Sequence, residues 1–240
     1  MNILLTGGSR GLGLTIAHQQ LELSNTVFIV NRSLSPELSE LLAQHKERAV
    51  FIECDLTMPD TIKESIFDRH IGKSVPIHGF VNNAAIAYDD LVSNLDLSSL
   101  EAMFRLNVFS PMALTKQIVR NMLLYKTAGS IVHVSSICCR KGYKGLAMYA
   151  ATKGAIEAFS KNLAREWGSM GIRSNCVVPG FMETSMSSKL TEAQREKIHG
   201  RTALKKATSI QSVAATVEFL LSDASCSVTG QEFIVDSGTI

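Results

Sequence analysis

Short apolar runs alternate with stretches of helical periodicity along the whole chain. Runs at 2–6, 26–30, 49–54, 77–82, 130–135, 173–178 and 232–235 read as strands. Between them, spacing predicts helices near 12–23, 35–45, 59–70, 98–124, 147–169 and 209–222. Strands apolar at nearly every position have both faces covered, and strands separated by helices pair in parallel. The pattern therefore predicts an α/β fold, a seven-stranded and mostly parallel sheet with helices on both faces. Helix 147–169 carries Ile156, Phe159, Leu163 and Trp167 on one stripe, suited to burial against the sheet or another subunit. No repeat, low-complexity tract or linker interrupts the series, so a single domain over 1–240 is expected.

Residues 181–207 break the rhythm. They follow Pro179-Gly180, are rich in Ser, Thr, Glu and Lys, and hold a short helical pattern at about 190–199. A long excursion leaving the C-terminal end of a strand is either a substrate lid or a surface loop.

With 45% hydrophobic residues among 240, the chain has material for one sizeable core. Its formal charge is +2, and its densest basic spot, Lys205-Lys206 near Arg201, reads as a solvated loop. A nucleic-acid partner is therefore not expected. No apolar run reaches the length of a membrane span. Met1-Asn2 leads into an apolar strand without a basic leader. The five cysteines, 54, 138, 139, 176 and 226, lack C-x-x-C spacing, so no metal site is expected. Free thiols in a reducing cytoplasm fit that odd count. The Cys138-Cys139 pair serves either packing or redox chemistry.

Candidate chemistry begins after the first strand. Residues 6–13 read T-G-G-S-R-G-L-G, a glycine-rich turn between a strand and a helix. Such a turn lets backbone N–H groups approach a pyrophosphate at a helix N-terminus. Gly7, Gly11 and Gly13 are the positions for tight turning and close approach. The second strand ends Val30-Asn31-Arg32, with no carboxylate to hold a ribose 2′-hydroxyl. Arg32 and Arg10 suit a 2′-phosphate instead, predicting NADP(H). Asp55 is placed for the adenine edge. Asn82-Asn83-Ala84-Ala85 leaves room beside the adenosine ribose, although Asn is also an ordinary turn residue.

Tyr149 and Lys153 lie four residues apart on one helix and so share a face. An ammonium beside the phenol is expected to lower its pKa from about 10, tuning it as a proton donor. Ser136, ending the fifth strand, can polarise a carbonyl. Each element alone is ordinary, but their conjunction points to nicotinamide-dependent carbonyl reduction.

Taken together, residues 6–13, Asp55, Asn82-Asn83-Ala84-Ala85, Asn107, Ser136, Tyr149 with Lys153, and Pro179-Gly180 followed by Thr184 resemble the short-chain dehydrogenase/reductase family over essentially the whole chain. The resemblance implies a Rossmann-type, doubly wound sheet in order 3-2-1-4-5-6-7 and a homotetramer. It implies Tyr149 as general acid, Lys153 lowering its pKa and bonding the nicotinamide ribose, and Ser136 orienting the carbonyl. Asn107 would hold a water that resupplies protons; without the family it reads as an ordinary polar helix residue. The implied cofactor set is Gly7, Ser9, Arg10, Gly11, Leu12, Gly13, Arg32, Asp55, Leu56, Asn83, Ala84, Tyr149, Lys153, Pro179, Gly180 and Thr184.

Within the family the chain is similar to 3-oxoacyl-[acyl-carrier-protein] reductases at Val178–Thr184 (V-P-G-F-M-E-T), 220–223 and Thr229-Gly230-Gln231. It departs at Ala85, where that subgroup has glycine, and at Thr127 and Met170, where it places arginines facing an acidic carrier. Lys126 and Arg173 are neighbours able to compensate in part. The substrate is thus a 3-oxoacyl thioester, carrier-bound or not, or else another ketone or a sugar-like carbonyl. A nicotinamide-binding regulator without chemistry is the reading from another class. The intact Asn107, Ser136, Tyr149 and Lys153 set argues against it.

Overall fold

The computed structural model describes residues 1–72, 74–184 and 191–240. Seven strands form one sheet: β1 (Asn2–Thr6), β2 (Thr26–Asn31), β3 (Ala49–Glu53), β4 (Gly79–Asn82), β5 (Gly129–Val134), β6 (Ile172–Pro179) and β7 (Glu232–Val235). Their order is β3-β2-β1-β4-β5-β6-β7 and every pairing is parallel. Parallel neighbours need crossovers, and the helices α1 (Gly11–Glu22), α2 (Pro36–Gln44), α3 (Leu97–Phe104), α4 (Ser110–Tyr125), α5 (Ala147–Trp167), α6 (Glu192–His199) and α7 (Ile210–Leu221) lie between them in the chain.

Alternation along each strand divides the core in two. Ile3, Leu5, Val27 and Ile29 pack with Ile16 and Leu21 of α1 and Val213 and Val217 of α7. Leu4, Phe28, Val30 and Phe80 pack on the other face with Ile66, Leu114, Ile118 and Leu163. Both faces are covered, which is why the strands read as nearly unbroken apolar runs.

The structure adjusts three predicted elements. The fourth strand begins at Gly79 rather than at 77, because the Ile77 N–H donates to Asn121 Oδ1 (2.8 Å). The helix expected at 59–70 is a short turn, Pro59–Thr61, followed by a π-helical segment, Lys63–Ile71, closed by Gly72 at φ 59°. The helix expected at 98–124 is interrupted by a π-helical segment, Arg105–Phe109, between α3 and α4.

Of the excursion at 181–207, residues 185–190 lie outside the described residues. Its base is closed by Thr208 N–H donating to Phe181 O (2.8 Å). Glu183 lies 3.5 Å from His199 Nε2 and 4.0 Å from Arg195, tying the strap after β6 to α6. Thr191 and Gln194 form a capping box that starts this helix. Among the described residues no helix is long and apolar enough to cross a membrane.

Candidate active site

Ligands of open parallel sheets sit beyond the C-terminal ends of the strands, and the predicted residues gather there. The turn after β1 is held by close backbone packing. Gly7 has φ +73°, and a Cβ on it would lie 2.9 Å from Ala84 Cα. A Cβ on Gly13 would lie 2.0 Å from the Gly7 carbonyl oxygen. Asn83 Nδ2 donates to Thr6 O (3.1 Å) and Gly7 O (2.9 Å), while Thr6 Oγ1 accepts from Asn83 N and Ala84 N (3.1 and 3.0 Å). Thr6 and Asn83 therefore clamp the ends of β1 and β4 together. Asn83 bonds this turn rather than only its own backbone.

Helix α1 starts at Gly11 behind Arg10, whose side chain makes no capping bond, and Leu12 and Gly13 are buried. Its first N–H groups are thus available to an anion. Ser9 is engaged by Asn31 Nδ2, which donates to its Oγ (2.7 Å), and by Ser35 Oγ, which donates to its carbonyl (2.7 Å). Arg10 and Arg32 are exposed. Arg32 and Asp55 line one open cleft of about 620 Å³ with Phe51 and Arg69. Asp55 Oδ1 accepts from Thr57 N–H and Oγ–H (2.9 and 2.8 Å), and buried Leu56 accepts at its carbonyl from Ser110 Oγ. Pro179 ends β6, and Gly180 N–H donates to Val235 O (2.9 Å). A Cβ at Gly11 would reach within 3.7 Å of the Thr184 methyl, so the strap after β6 lies over the glycine turn. This uncapped helix start, the glycine cradle and the exposed arginines fit a phosphorylated dinucleotide.

Tyr149 and Lys153 share a face of α5, with Lys153 Nζ 5.7 Å from the centroid of the Tyr149 ring. Lys153 is buried and donates to Val134 O (2.8 Å), the last residue of β5. Ser136 follows two residues later and accepts at Oγ from Cys138 N–H (3.3 Å). Asn107 sits in the π-helical segment. Its Oδ1 accepts from Ile86 N–H (3.0 Å), and its Nδ2 donates to Ile86 O (2.8 Å) and Thr152 Oγ1 (3.1 Å). Thr152 in turn donates to Tyr149 O (2.8 Å). π-Helical insertions are frequent at functional sites because they re-aim one side chain. Sequence reading missed Thr152 as a link, although it lies between the two motif residues.

The expected lowering of the Tyr149 pKa is not what this environment gives. Burial raises it, and Cys138, Cys139 and Asp89 push the same way. Burial also brings Lys153 down to about 8. The four-residue spacing places the amine beside the ring, but desolvation outweighs any benefit to the phenolate. A phenol of ordinary pKa, about 10, is protonated at neutral pH already, and the upward shift keeps it a donor.

Two buried polar groups escaped the sequence reading. Glu157, one turn beyond Lys153, accepts from Ser135 Oγ (2.7 Å) and pairs with Arg140 (3.0 Å), which also pairs with Glu232. His133 in β5 lies between Phe80 and Phe159, with Asn82 Nδ2 3.2 Å from its Nδ1 and no partner at Nε2 among the described residues. Burial, aided by Lys153, lowers its pKa to about 3. The unfolded chain takes up this proton below about 6.5 and the folded chain does not. Stability is thus complete above 6.5 and falls toward pH 3, by up to about 1.4 kcal/mol per pH unit. Urea midpoints measured across that range should trace the loss, and His133→Gln should flatten the slope.

Arg173, a neighbour of Met170, is half-buried. Its guanidinium donates to Leu220 O (2.9 Å), Ser225 Oγ (2.8 Å) and Ser222 O (3.2 Å), fastening β6 to the end of α7.

Comparison with known proteins agrees with this geometry. A family model described as enoyl-(acyl carrier protein) reductase matches residues 7–239. A 3-oxoacyl-[acyl-carrier-protein] reductase of Chlamydia pneumoniae is 32% identical over 238 residues, covering 98% of this chain and 95% of the relative. The Pseudomonas aeruginosa enzyme of the same name is 31% identical over 239 residues, with 98% and 95% coverage. Among solved structures, gluconate 5-dehydrogenase from Burkholderia cenocepacia, in complex with NADP and tartrate, has a TM-score of 0.91 at 26% identity, covering 99% of this chain and 94% of that one. A 4-hydroxyisoleucine dehydrogenase complexed with NADH has a TM-score of 0.93 at 22% identity, covering 99% and 98%, and shares the fold.

Proposed function

Because the chain belongs to the short-chain dehydrogenase/reductase family, we propose that it reduces a carbonyl to an alcohol with NADPH, the carbonyl being that of a 3-oxoacyl thioester. The observation that carries this reading is that Lys153, beside the Tyr149 ring, donates to the last residue of β5, two residues before Ser136, at the sheet end that also carries the glycine turn after β1. When bound, the nicotinamide supplies the hydride. Ser136 Oγ orients the carbonyl, and the protonated Tyr149 gives its phenolic proton to the carbonyl oxygen. Lys153 binds the nicotinamide ribose and offsets the charge left on the phenolate. Positioning and stabilisation of the developing oxyanion supply most of the rate. Both amide protons of Asn107 are engaged, so a proton-relay water would be held by its carbonyl groups.

Gly7, Gly11, Gly13 and the α1 N-terminus take the pyrophosphate in this reading. Asp55, Leu56, Asn83 and Ala84 flank the adenosine, and Pro179, Gly180 and Thr184 the nicotinamide end. Arg10 and Arg32 take the 2′-phosphate. Replacing each by alanine should raise the NADPH KM about tenfold per arginine, the value of one charge-assisted bond, and leave the NADH KM nearly unchanged. Equal effects on both cofactors would remove the arginines from this role.

The chain acts as one catalytic unit in this proposal, with 181–207 as its lid, assembled as a homotetramer in a reducing cytoplasm. Its five free cysteines suit that compartment. A second reading, with a substrate free of any carrier, is favoured by one observation. Thr127 and Met170, where that subgroup places arginines, carry no charge. Carrier-bound and coenzyme A-bound 3-oxoacyl thioesters, simple ketones and ketosugars, each mixed with NADPH and the protein, separate the two. Consumption of NADPH with the thioesters supports the first reading, and with free ketones or ketosugars alone the second. No consumption with any of them removes both.

A further inference from the structure

Helix α5 buries one more charged side chain, and the proposed reaction gives it no task. Glu157 lies four residues beyond Lys153 and eight beyond Tyr149, on the same stripe of the helix. A buried carboxylate costs free energy unless it is hydrogen-bonded and paired. Here Oε1 accepts from Ser135 Oγ (2.7 Å), and Oε2 lies 3.0 Å from the Arg140 guanidinium. Ser135 and Arg140 stand immediately before and after residues 136–139, the turn that presents Ser136. One carboxylate on the helix of Tyr149 therefore meets both ends of that turn.

We propose that Glu157 is a positioning residue for carbonyl reduction, holding Ser136 in register with Tyr149 through its bond to Ser135. Two successive residues at the end of β5 are tied to two successive turns of α5. Lys153 donates to Val134 O (2.8 Å), and Glu157 accepts from the Ser135 hydroxyl. Ser135 is buried and its N–H donates to Val177 O (2.8 Å), so its main chain and its side chain are both fixed. That restraint passes to Ser136 across one planar peptide unit.

The Arg140 end contributes less. Its side chain is 31% exposed and pairs with Glu232 as well, and partly solvated ion pairs are weak restraints. Glu232, which also meets Lys161 (2.9 Å), keeps Arg140 paired when Glu157 is replaced. The effect on turnover rests on the reductase reading; the tie between Glu157 and the turn does not.

Glu157→Ala should lower kcat about 10²-fold, the consequence of misplacing a group by about 1 Å. The NADPH Kd should stay as it was, because the glycine turn is held by Asn83 and not by Glu157. Glu157→Gln keeps an oxygen for Ser135 and should bring kcat back to within a few-fold of native. Ser135→Ala should match Glu157→Ala, and the double variant should fall no further, since each change removes the same bond. Amide hydrogen exchange reads the tie without turnover. The N–H groups of Cys138, Cys139, Arg140 and Lys141 are all bonded within the turn. They should exchange faster in Glu157→Ala and Ser135→Ala, and at the native rate in Glu157→Gln. Unchanged exchange overturns the proposal, as does unchanged kcat or a double variant whose losses multiply. Glu157→Gln as slow as Glu157→Ala overturns it too, because the charge and not the Ser135 bond would then be responsible. Should Glu157→Ala fail to fold, Ser135→Ala decides by the same two measurements. Should the native chain reduce no carbonyl, the reductase reading fails while exchange still decides the tie.

Discussion

Tyr149→Phe should abolish turnover while leaving NADPH bound as tightly as before. Among the described residues the Tyr149 hydroxyl makes no hydrogen bond, since only its main-chain oxygen is engaged, by Thr152. Deleting the hydroxyl therefore leaves no orphaned partner and removes only the proton donor. General acid catalysis contributes about 10²- to 10⁴-fold, and the loss should fall in kcat. Burial holds this phenol protonated, so phenylalanine keeps the ring's shape and its neutral state. Thermal melting should stay close to that of the native chain. Cofactor fluorescence and stopped-flow NADPH consumption measure the two halves separately. Turnover within a few-fold of native would mean that the proton comes from elsewhere.

Much of this was legible from residue order. The strands stand out because a parallel sheet covered on both faces tolerates few polar positions, and Ile3, Leu4 and Leu5 are all fully buried. The glycine turn and the Tyr149–Lys153 spacing were legible because both depend on local geometry, a strand-to-helix turn and one helical turn. What stayed hidden depends on depth or on distant chain. Nothing in Leu106-Asn107-Val108-Phe109 distinguishes an i+5 from an i+4 turn, and the Asn107 partner, Ile86, sits in a loop whose path no periodicity reveals. Arg173 reads as a surface charge until its three acceptors at the end of α7 are seen. The Tyr149 shift was misjudged for the same reason. Spacing gives the neighbour, but only the fold gives the desolvation.

Gly13→Ala should damage cofactor binding and stability together, because the methyl group has no space to enter. Its carbon would lie 2.0 Å from Gly7 O and 2.6 Å from Asn83 Nδ2. Neither neighbour can retreat freely. Gly7 is fixed at φ +73°, and its carbonyl accepts from Asn83 Nδ2, which also donates to Thr6 O. Relief must come from parting α1 from the β1 turn, which breaks the Thr6–Asn83 clamp between β1 and β4. Overpacking of this kind costs about 1–3 kcal/mol, and the displaced backbone is the part proposed to meet the pyrophosphate. The NADPH Kd should rise by about tenfold or more, with a lower melting temperature. Gly11→Ala separates the two effects. Its Cβ meets only the Thr184 methyl at 3.7 Å, so its cost comes from φ +52° and not from collision. A Gly13→Ala protein that melts early yet binds NADPH like the native chain would place the cofactor somewhere other than this turn.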